Sequence, residues 1–249
     1  NNNEDSYVST FSGSSDITIA DTTASTINNS GTIDISILGD ASDNILNFNG
    51  TTNGFITKDI DLGNGGADQN DLDIINFGDS SSSVANIGGN ISAGIINVNN
   101  GIVNIGSGVI TIYGSLKELN VASGATLNFT ETQTHNITRL INDGTINLTS
   151  GENITLNNGS VAIRNSGFIN GSGASINMAG VASTINIITD GGSITTDING
   201  SNSNDTLAFI DNIGSDSFTG NINLGSEVND NITITNFNGT STFTGGTIT

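Results

Sequence analysis

The sequence predicts an all-β chain wound as a parallel β-helix, a solenoid of roughly a dozen coils. Three observations point there. First, Ile, Val, Leu and Phe alternate with polar residues over short runs, as in Thr32-Ile33-Asp34-Ile35-Ser36-Ile37, and a period of two is the strand signal. Second, β-branched residues, Gly and Asn dominate, while the chain holds only five Glu and four Lys plus Arg. That composition fits a pleated backbone better than a helix. Third, a phrase recurs near each end, and self-similarity at about 20–50 residues marks stacked repeats.

The phrase reads Asp/Asn-Ile, a Gly-rich polar stretch, a carboxylate, then an apolar run closing on Phe. Its copies run from Asp34 to Phe48, Asp59 to Phe77, Asp197 to Phe209 and Asn221 to Phe237. The closing phenylalanines of each pair lie 29 and 28 residues apart, so each pair predicts two neighbouring coils. Asn49-Gly50-Thr51 after the first copy returns as Asn238-Gly239-Thr240 after the last. Residues 1–25 are poorly periodic until Asp16-Ile17-Thr18-Ile19 and predict an irregular or partial first coil. Residues 26–249 predict stacked coils of one segment.

The centre, about 84–190, uses a shorter phrase: Asn and an apolar residue, a Gly turn, then apolar-polar-apolar. Asn86, Asn104 and Asn120 open successive examples, with steps of 18 and 16 residues. Asn-Gly, Asp-Gly and Ser-Gly make turns because Gly, and less readily Asn or Asp, accepts positive φ. Antiparallel hairpins use the same dipeptides, and Asn158-Gly159 suits one. The coil-like recurrence of the turns and the lack of aromatic cross-strand sets favour the β-helix. In it, aliphatic residues stack on their equivalents one coil on, and Asn stacks in side-chain ladders. At about 20 residues per coil the chain makes about a dozen coils, in a rod roughly 60 Å long. Unpaired sheet edges at the ends of such a rod invite self-association.

Composition excludes several functions. With 24 acidic against 4 basic residues the net charge is −20. Nucleic acid and anionic membrane surfaces, both of which need clustered Lys and Arg, are therefore not expected partners. Much of the acidity is the ordinary device that keeps a long β surface soluble. No run approaches the ~20 apolar residues of a membrane-spanning helix, so this segment is not expected to insert. Absence of Cys excludes a disulfide framework and thiolate metal sites. Without an initiator Met or a basic-then-apolar leader, the chain reads as part of something longer. Phe243 to Thr249 reads as the start of another repeat.

Candidate chemistry is sparse. Gly63-Asn64-Gly65-Gly66-Ala67-Asp68 partly matches the calcium-binding nonapeptide G-G-x-G-x-D-x-U-x, with Asn64 and Asn70 departing from it. Asp71 and Asp73 add nearby carboxylates, the hard oxygen ligands Ca²⁺ needs. Asp68, Asp71 and Asp73 are thus the candidate metal ligands, against the plainer reading of a solvated turn. The single histidine, His135, has no nucleophile elbow around it and is expected at the surface or in a turn. Paired carboxylates among Asp68, Asp71 and Asp73, with Arg139 or Arg164 as charge stabiliser, would serve glycan cleavage. A sugar-processing groove is normally rich in Trp and Tyr, and this chain has no Trp and two Tyr. Scattered Thr patches lack the regularity of an ice-binding ladder. No catalytic residue and no cofactor other than Ca²⁺ is expected.

Several strings resemble the passenger segments of bacterial autotransporters, and among them the rickettsial surface antigens of the outer-membrane protein A and B type. They are Ile60-Asp61-Leu62-Gly63-Asn64-Gly65, its echo Ile222-Asn223-Leu224-Gly225, Asn204-Asp205-Thr206-Leu207, and Asn142-Asp143-Gly144-Thr145-Ile146-Asn147-Leu148. The resemblance implies a right-handed β-helix carried to the bacterial cell surface by a C-terminal β-barrel translocator outside this segment. It implies a non-enzymatic role in virulence, as an adhesin for a host-cell receptor or glycan, a surface-layer component, or a self-associating antigen. The chain departs from that family in its very few lysines. Two other readings compete: a tailspike-like β-helix that binds or cleaves glycans, and a calcium-ordered surface-layer segment. The less regular stretches 64–71, 78–84 and 130–139 are expected to protrude, and binding usually sits in such loops.

Overall fold

A computed structural model describes residues 8–12, 16–19, 25–39, 43–49, 54–62, 72–113, 117–156, 160–178, 184–189, 191–211, 217–225, 230–235 and 242–243. Among these the chain is all strand and turn, without a helix. Every strand pairing among them is parallel. The hairpin alternative is thereby excluded, and the fold is a β-solenoid.

Each full coil lays strand on each of three faces, and in one coil the single strand Ser25–Asp34 serves both the first and the second. In another coil the strands are Ile95–Val98 on the first face, Ile102–Ile105 on the second and Ile110–Ile112 on the third. The next coil repeats the order with Glu118–Val121, Thr126–Phe129 and Thr134–Ile137. The third face is a 10-stranded sheet among the described residues. One strand per coil makes ten coils rather than a dozen, in a stack about 45 Å tall at a strand spacing of about 4.8 Å. The shortfall comes from the corners, which lengthen some coils well past 20 residues. Ile91 pairs with Ile60 across a separation of 31 residues, whereas Ile110 follows Ile91 by 19. The N-terminal region already belongs to the stack. Val8–Ser12 and Ile17–Thr18 are strands that pair with the following coil, the first with a register shift between Val8 and Thr10.

Strand alternation decides what faces inward. Leu46, Ile75, Ile96, Leu119, Leu140, Ile163 and Ile187 form one register column on the first face, all essentially buried. Ala85, Val103, Leu127, Ile146, Ile169 and Ile194 do the same on the second. Each fully buried aliphatic side chain contributes about 1.5–3 kcal/mol. The repeated phrase spans a third-face strand, a corner and a first-face strand. Its first two copies therefore stack directly: Ile37 on Ile60, Leu46 on Ile75 and Phe48 on Phe77. The two rings meet edge to face at 5.8 Å. In the second pair of copies, by contrast, Phe209 is in register with Ile234, and Phe237 lies outside the described residues.

Polar residues obey the same stacking. On the outward side of the second face, Asn104 Nδ2 donates to Asn86 Oδ1 (2.8 Å), Asn128 to Asn104 (2.7 Å), Asn147 to Asn128 (2.7 Å) and Asn170 to Asn147 (2.9 Å). A second ladder on the first face joins Asn47, Asn76, Asn97 and Asn120, each bond 2.8 Å. A primary amide carries both donor and acceptor, so identical residues at coil spacing satisfy one another. The ladders are expected from the sequence, but one step is corrected. Asn120 stacks on Asn97, and the ladder partner that follows Asn104 is Asn128; the 16-residue step crosses from one face to another.

One inward column changes chemistry midway. Phe48, Phe77, Val98 and Val121 are followed in register by Asn142 and Asn165, both fully buried. Corners Asp143-Gly144 and Ser166-Gly167 are short here, and the buried amides satisfy their backbone. Asn142 Nδ2 donates to Asn165 Oδ1 (2.7 Å) and Phe168 O (3.1 Å), and Asn165 Nδ2 to Gly167 O (3.1 Å).

Replacing Phe77 by Ala is expected to destabilise the rod by about 3–5 kcal/mol, as a cavity opens beneath Phe48. Replacing Asn104, in mid-ladder, is expected to remove about 1–3 kcal/mol by leaving two neighbouring amides short of a partner. Denaturant titration of both variants checks the order; an Asn104→Ala loss equal to that of Phe77→Ala contradicts it.

Candidate functional site

The three corners of the coil differ in how freely their length varies. Between the third and first faces, Gly94 alone separates Ala93 from Ile95, whereas 62–73 separate Asp61 from Ile74 in the preceding coil. The other two corners vary less, from none where Ser25–Asp34 runs unbroken across two faces to the six residues 78–83. The third-to-first edge is therefore the one whose length varies most.

A buried polar column underlies that edge. Asn44, Asp73, Gly94 and Lys117 each precede first-face strand residues that are in register with one another. Asp73 is 1% exposed. Its Oδ1 accepts from Asn44 N (3.0 Å) and Asn44 Nδ2 (3.1 Å), and its Oδ2 accepts from the Tyr113 hydroxyl. A carboxylate with both oxygens engaged and no solvent access acts as a clamp, tying three coils together at the corner. Gly94 makes room in this column: a Cβ there would lie 3.2 Å from Lys117 Cδ and 3.4 Å from its Nζ. Of the three candidate calcium ligands, Asp73 is thus placed as a buried hydrogen-bond acceptor. Asp68 and Asp71 lie outside the described residues. Among the described residues no group of three or more His, Cys, Asp or Glu side chains is arranged to hold a metal.

Several other carboxylates have the same structural use. Leu72 N donates to Asp43 (2.7 Å), Asn90 N to Asp59 (2.8 Å), Asn221 N to Asp197 (2.7 Å) and Asp205 N to Asp230 (2.8 Å). Each caps a backbone N–H of an adjacent coil at a corner, where the ladder leaves donors unmatched.

The titratable pair the sequence did not reveal lies inside the rod. His135 is expected at the surface or in a turn; it instead sits fully buried in the strand Thr134–Ile137. It holds a position in the third-face Ile column, between Ile110 and Ile154. The neighbouring polar residues hide this, but Thr134-His135-Asn136-Ile137 alternates, so His135 shares the inward side with Ile137. The expectation that 130–139 protrudes fails for the same reason: Thr134–Ile137 is sheet, and the corner 130–133 before it is tied to neighbouring coils by Thr130 N donating to Ile105 O and Gln133 N to Glu152. The stretch 78–84 is a corner closed on itself by Ser83 Oγ donating to Asp79 (2.6 Å), and 64–71 lies outside the described residues.

Ile110 N donates to His135 Nδ1 (2.9 Å), which places the proton of the neutral ring on Nε2. Nε2 lies 2.7 Å from Glu152 Oε1, with its N–H off the line between them. Oε1 also accepts from Gln133 N (3.1 Å), while Oε2 is buried without a hydrogen-bond partner. The His135 ring rests against Phe129 at 4.3 Å. Burial pushes the imidazole down to about 4 from its ordinary 6.5. Burial pushes the Glu152 carboxyl up to about 7 from 4.5, partly opposed by the Gln133 hydrogen bond.

These shifts act on stability in opposite senses. His135 binds fewer protons folded than unfolded between pH 4 and 6.5, so it disfavours the fold as pH falls through that window. Glu152 binds more protons folded between pH 4.5 and 7, so it disfavours the fold as pH rises. Where the windows overlap the slopes cancel, and the pair's joint contribution is nearly level.

Glu152→Gln unmasks the slopes. Its stability relative to the parent is expected to be near zero at pH 4.5 and to grow to about 3 kcal/mol in its favour above pH 7, since each tenfold difference in proton affinity between the folded and unfolded chain is worth ~1.4 kcal/mol. Urea titrations at the two pH values read the difference; parallel behaviour at both rules out the buried carboxyl as its source.

No protein-family model matches the chain, and no curated protein or solved structure is significantly similar to it.

Proposed function

We propose that this chain is a non-enzymatic rod, wound right-handed, displayed at a bacterial cell surface as an autotransporter passenger segment, where it adheres to host cells. The right hand is the usual sense of the connection between parallel strands of one sheet. The observation that carries the reading is the contrast between edges. Three faces stack in parallel through ten coils among the described residues, with a register shift between Val8 and Thr10 in the first of them, while the third-to-first edge changes from one residue, Gly94, to the stretch 62–73 between adjacent coils. A rigid scaffold with one variable edge is the arrangement that binding loops use. The partner is a neutral or cationic receptor or a glycan, since the surplus of carboxylates repels anionic ones. Self-association into a surface layer uses the unpaired sheet edges at the ends of the rod.

The buried polar groups support a structural and not a chemical role for the interior. Asp73, His135 and Glu152 are fully or almost fully enclosed, out of reach of a substrate in solution.

Beads coated with the purified segment are expected to bind cultured host cells at least about tenfold above albumin-coated beads, a difference of ~1.4 kcal/mol in binding. Scrambling 63–71 at constant length is expected to remove most of that binding and leave the far-UV circular dichroism and melting curve unchanged. Undiminished binding by the folded scramble moves the contact away from this edge; no binding by the parent removes the adhesion role.

A further inference from the structure

We infer that Asn100-Gly101 is a self-modification site, at which the chain converts Asn100 to aspartate and isoaspartate with water as the only co-reactant. Three Asn-Gly pairs lie wholly among the described residues: 100–101, 170–171 and 199–200. The fold treats them differently. Asn170 Nδ2 donates to Asn147 Oδ1 (2.9 Å) and Asn199 Nδ2 to Asn177 Oδ1 (2.9 Å), so both amides are locked in ladders. The nitrogens that would attack them are engaged too: Gly171 N donates to Thr195 Oγ1 (3.0 Å) and Gly200 N to Asn223 O (2.7 Å).

At the corner between the first and second faces, Asn100 is exposed and follows the exposed Asn99. Among the hydrogen bonds of the described residues, neither its side-chain amide nor the Gly101 N–H takes part in one. Gly101 has φ +71° and is buried against Ser80 O and Ser83 O of the preceding coil, and it carries no Cβ to hinder the approach of its nitrogen to Asn100 Cγ. A ladder could not form here, because the residues that flank this corner in the stack are Asp79 to Ser83 and Ala122 to Ala125, which contain no Asn.

The chemistry balances without a catalyst. Gly101 N attacks Asn100 Cγ; the N–Cγ bond forms, the Cγ–Nδ2 bond breaks, and ammonia leaves with the glycine proton. Water then opens the five-membered imide at either carbonyl. One opening gives aspartate. The other gives isoaspartate, which routes the backbone through Cβ and lengthens a corner whose Gly101 O holds Thr126 N (2.9 Å). Each product adds a negative charge to an already acidic rod. At Asn170 and Asn199 the same attack first requires local opening of the ladder, and the opening equilibrium divides the rate.

The test incubates the folded chain at mildly alkaline pH, digests it, and follows each Asn-Gly peptide by mass spectrometry for exchange of the amide NH₂ for OH, with isoaspartyl methyltransferase labelling as a second readout. Asn100 is expected to react at least about tenfold faster than Asn170 and Asn199, the factor set by ~1.4 kcal/mol of opening. In concentrated urea the three rates are expected to converge. Asn100→Gln, an exposed substitution that leaves the fold intact, is expected to remove the product from the peptide that holds residue 100. Equal rates at the three sites in the folded chain, an Asn100 advantage that persists in urea, or isoaspartyl labelling of the peptide holding residue 100 retained in N100Q each overturn the inference.

Discussion

Parallel coils about 4.8 Å apart impose one rule on every position: each side chain must accept its equivalent directly above and below. Aliphatic residues meet the rule by interdigitating, and Asn meets it by passing a hydrogen bond along the column. A lone charge does not meet it in the interior, because the next coil offers the same environment again and no water. Several of the described carboxylates stand at or beside corners, where the ladder is broken and backbone N–H groups need acceptors, while Asp34, Asp61 and Glu118 stand on outward strand positions. Asp43, Asp59, Asp197 and Asp230 all take such a donor from an adjacent coil. Part of what composition shows as plain acidity is a set of caps.

The rule also explains what could be read from the chain in advance. Alternation such as Thr32-Ile33-Asp34-Ile35 fixes which residues turn inward, and two phrases ending in Phe48 and Phe77 mark adjacent coils whose rings meet. Corner length, however, is a property of no single residue type. Gly94 alone turns one corner and 62–73 another, so a coil count taken from average spacing overshoots. The similar Asn steps misled for a related reason: outward Asn residues occur on two faces, and a sequence interval does not say which face it lands on. Asp73 belonged to the candidate metal set on its carboxylate alone. Its partner Tyr113 lies two coils along the stack, where no local motif could point.

Buried polar residues mark the places where the aliphatic solution stops working. Asn142 and Asn165 continue a column begun by Phe48, Phe77, Val98 and Val121. Their sequences, Leu140-Ile141-Asn142 and Ile163-Arg164-Asn165, alternate correctly, so the inward placement was legible. The reason for it was not, because it lies in tight corners whose carbonyls face the interior and need a donor. His135 follows the same logic from the acceptor side: its Nδ1 takes a backbone N–H of the preceding coil, Ile110 N, which an isoleucine at that position could not.

Glu152 completes this arrangement at an energetic cost, since one of its oxygens stays buried without a partner. A rod assembled only from Ile and Asn columns would have no such position, and its coils would be close to interchangeable. Neighbouring coils that can slip by one repeat are a hazard of any solenoid with near-identical repeats. A histidine whose acceptor fits one N–H, facing a carboxyl whose acceptor fits another, distinguishes the coils at 110, 135 and 152 from all others described. Asn44, Asp73 and Tyr113 do the same at the opposite corner, beside the stretch 62–73. The buried polar clusters thus act as register marks in a stack whose aliphatic columns cannot supply them, and they hold the variable edge at a fixed height along the rod.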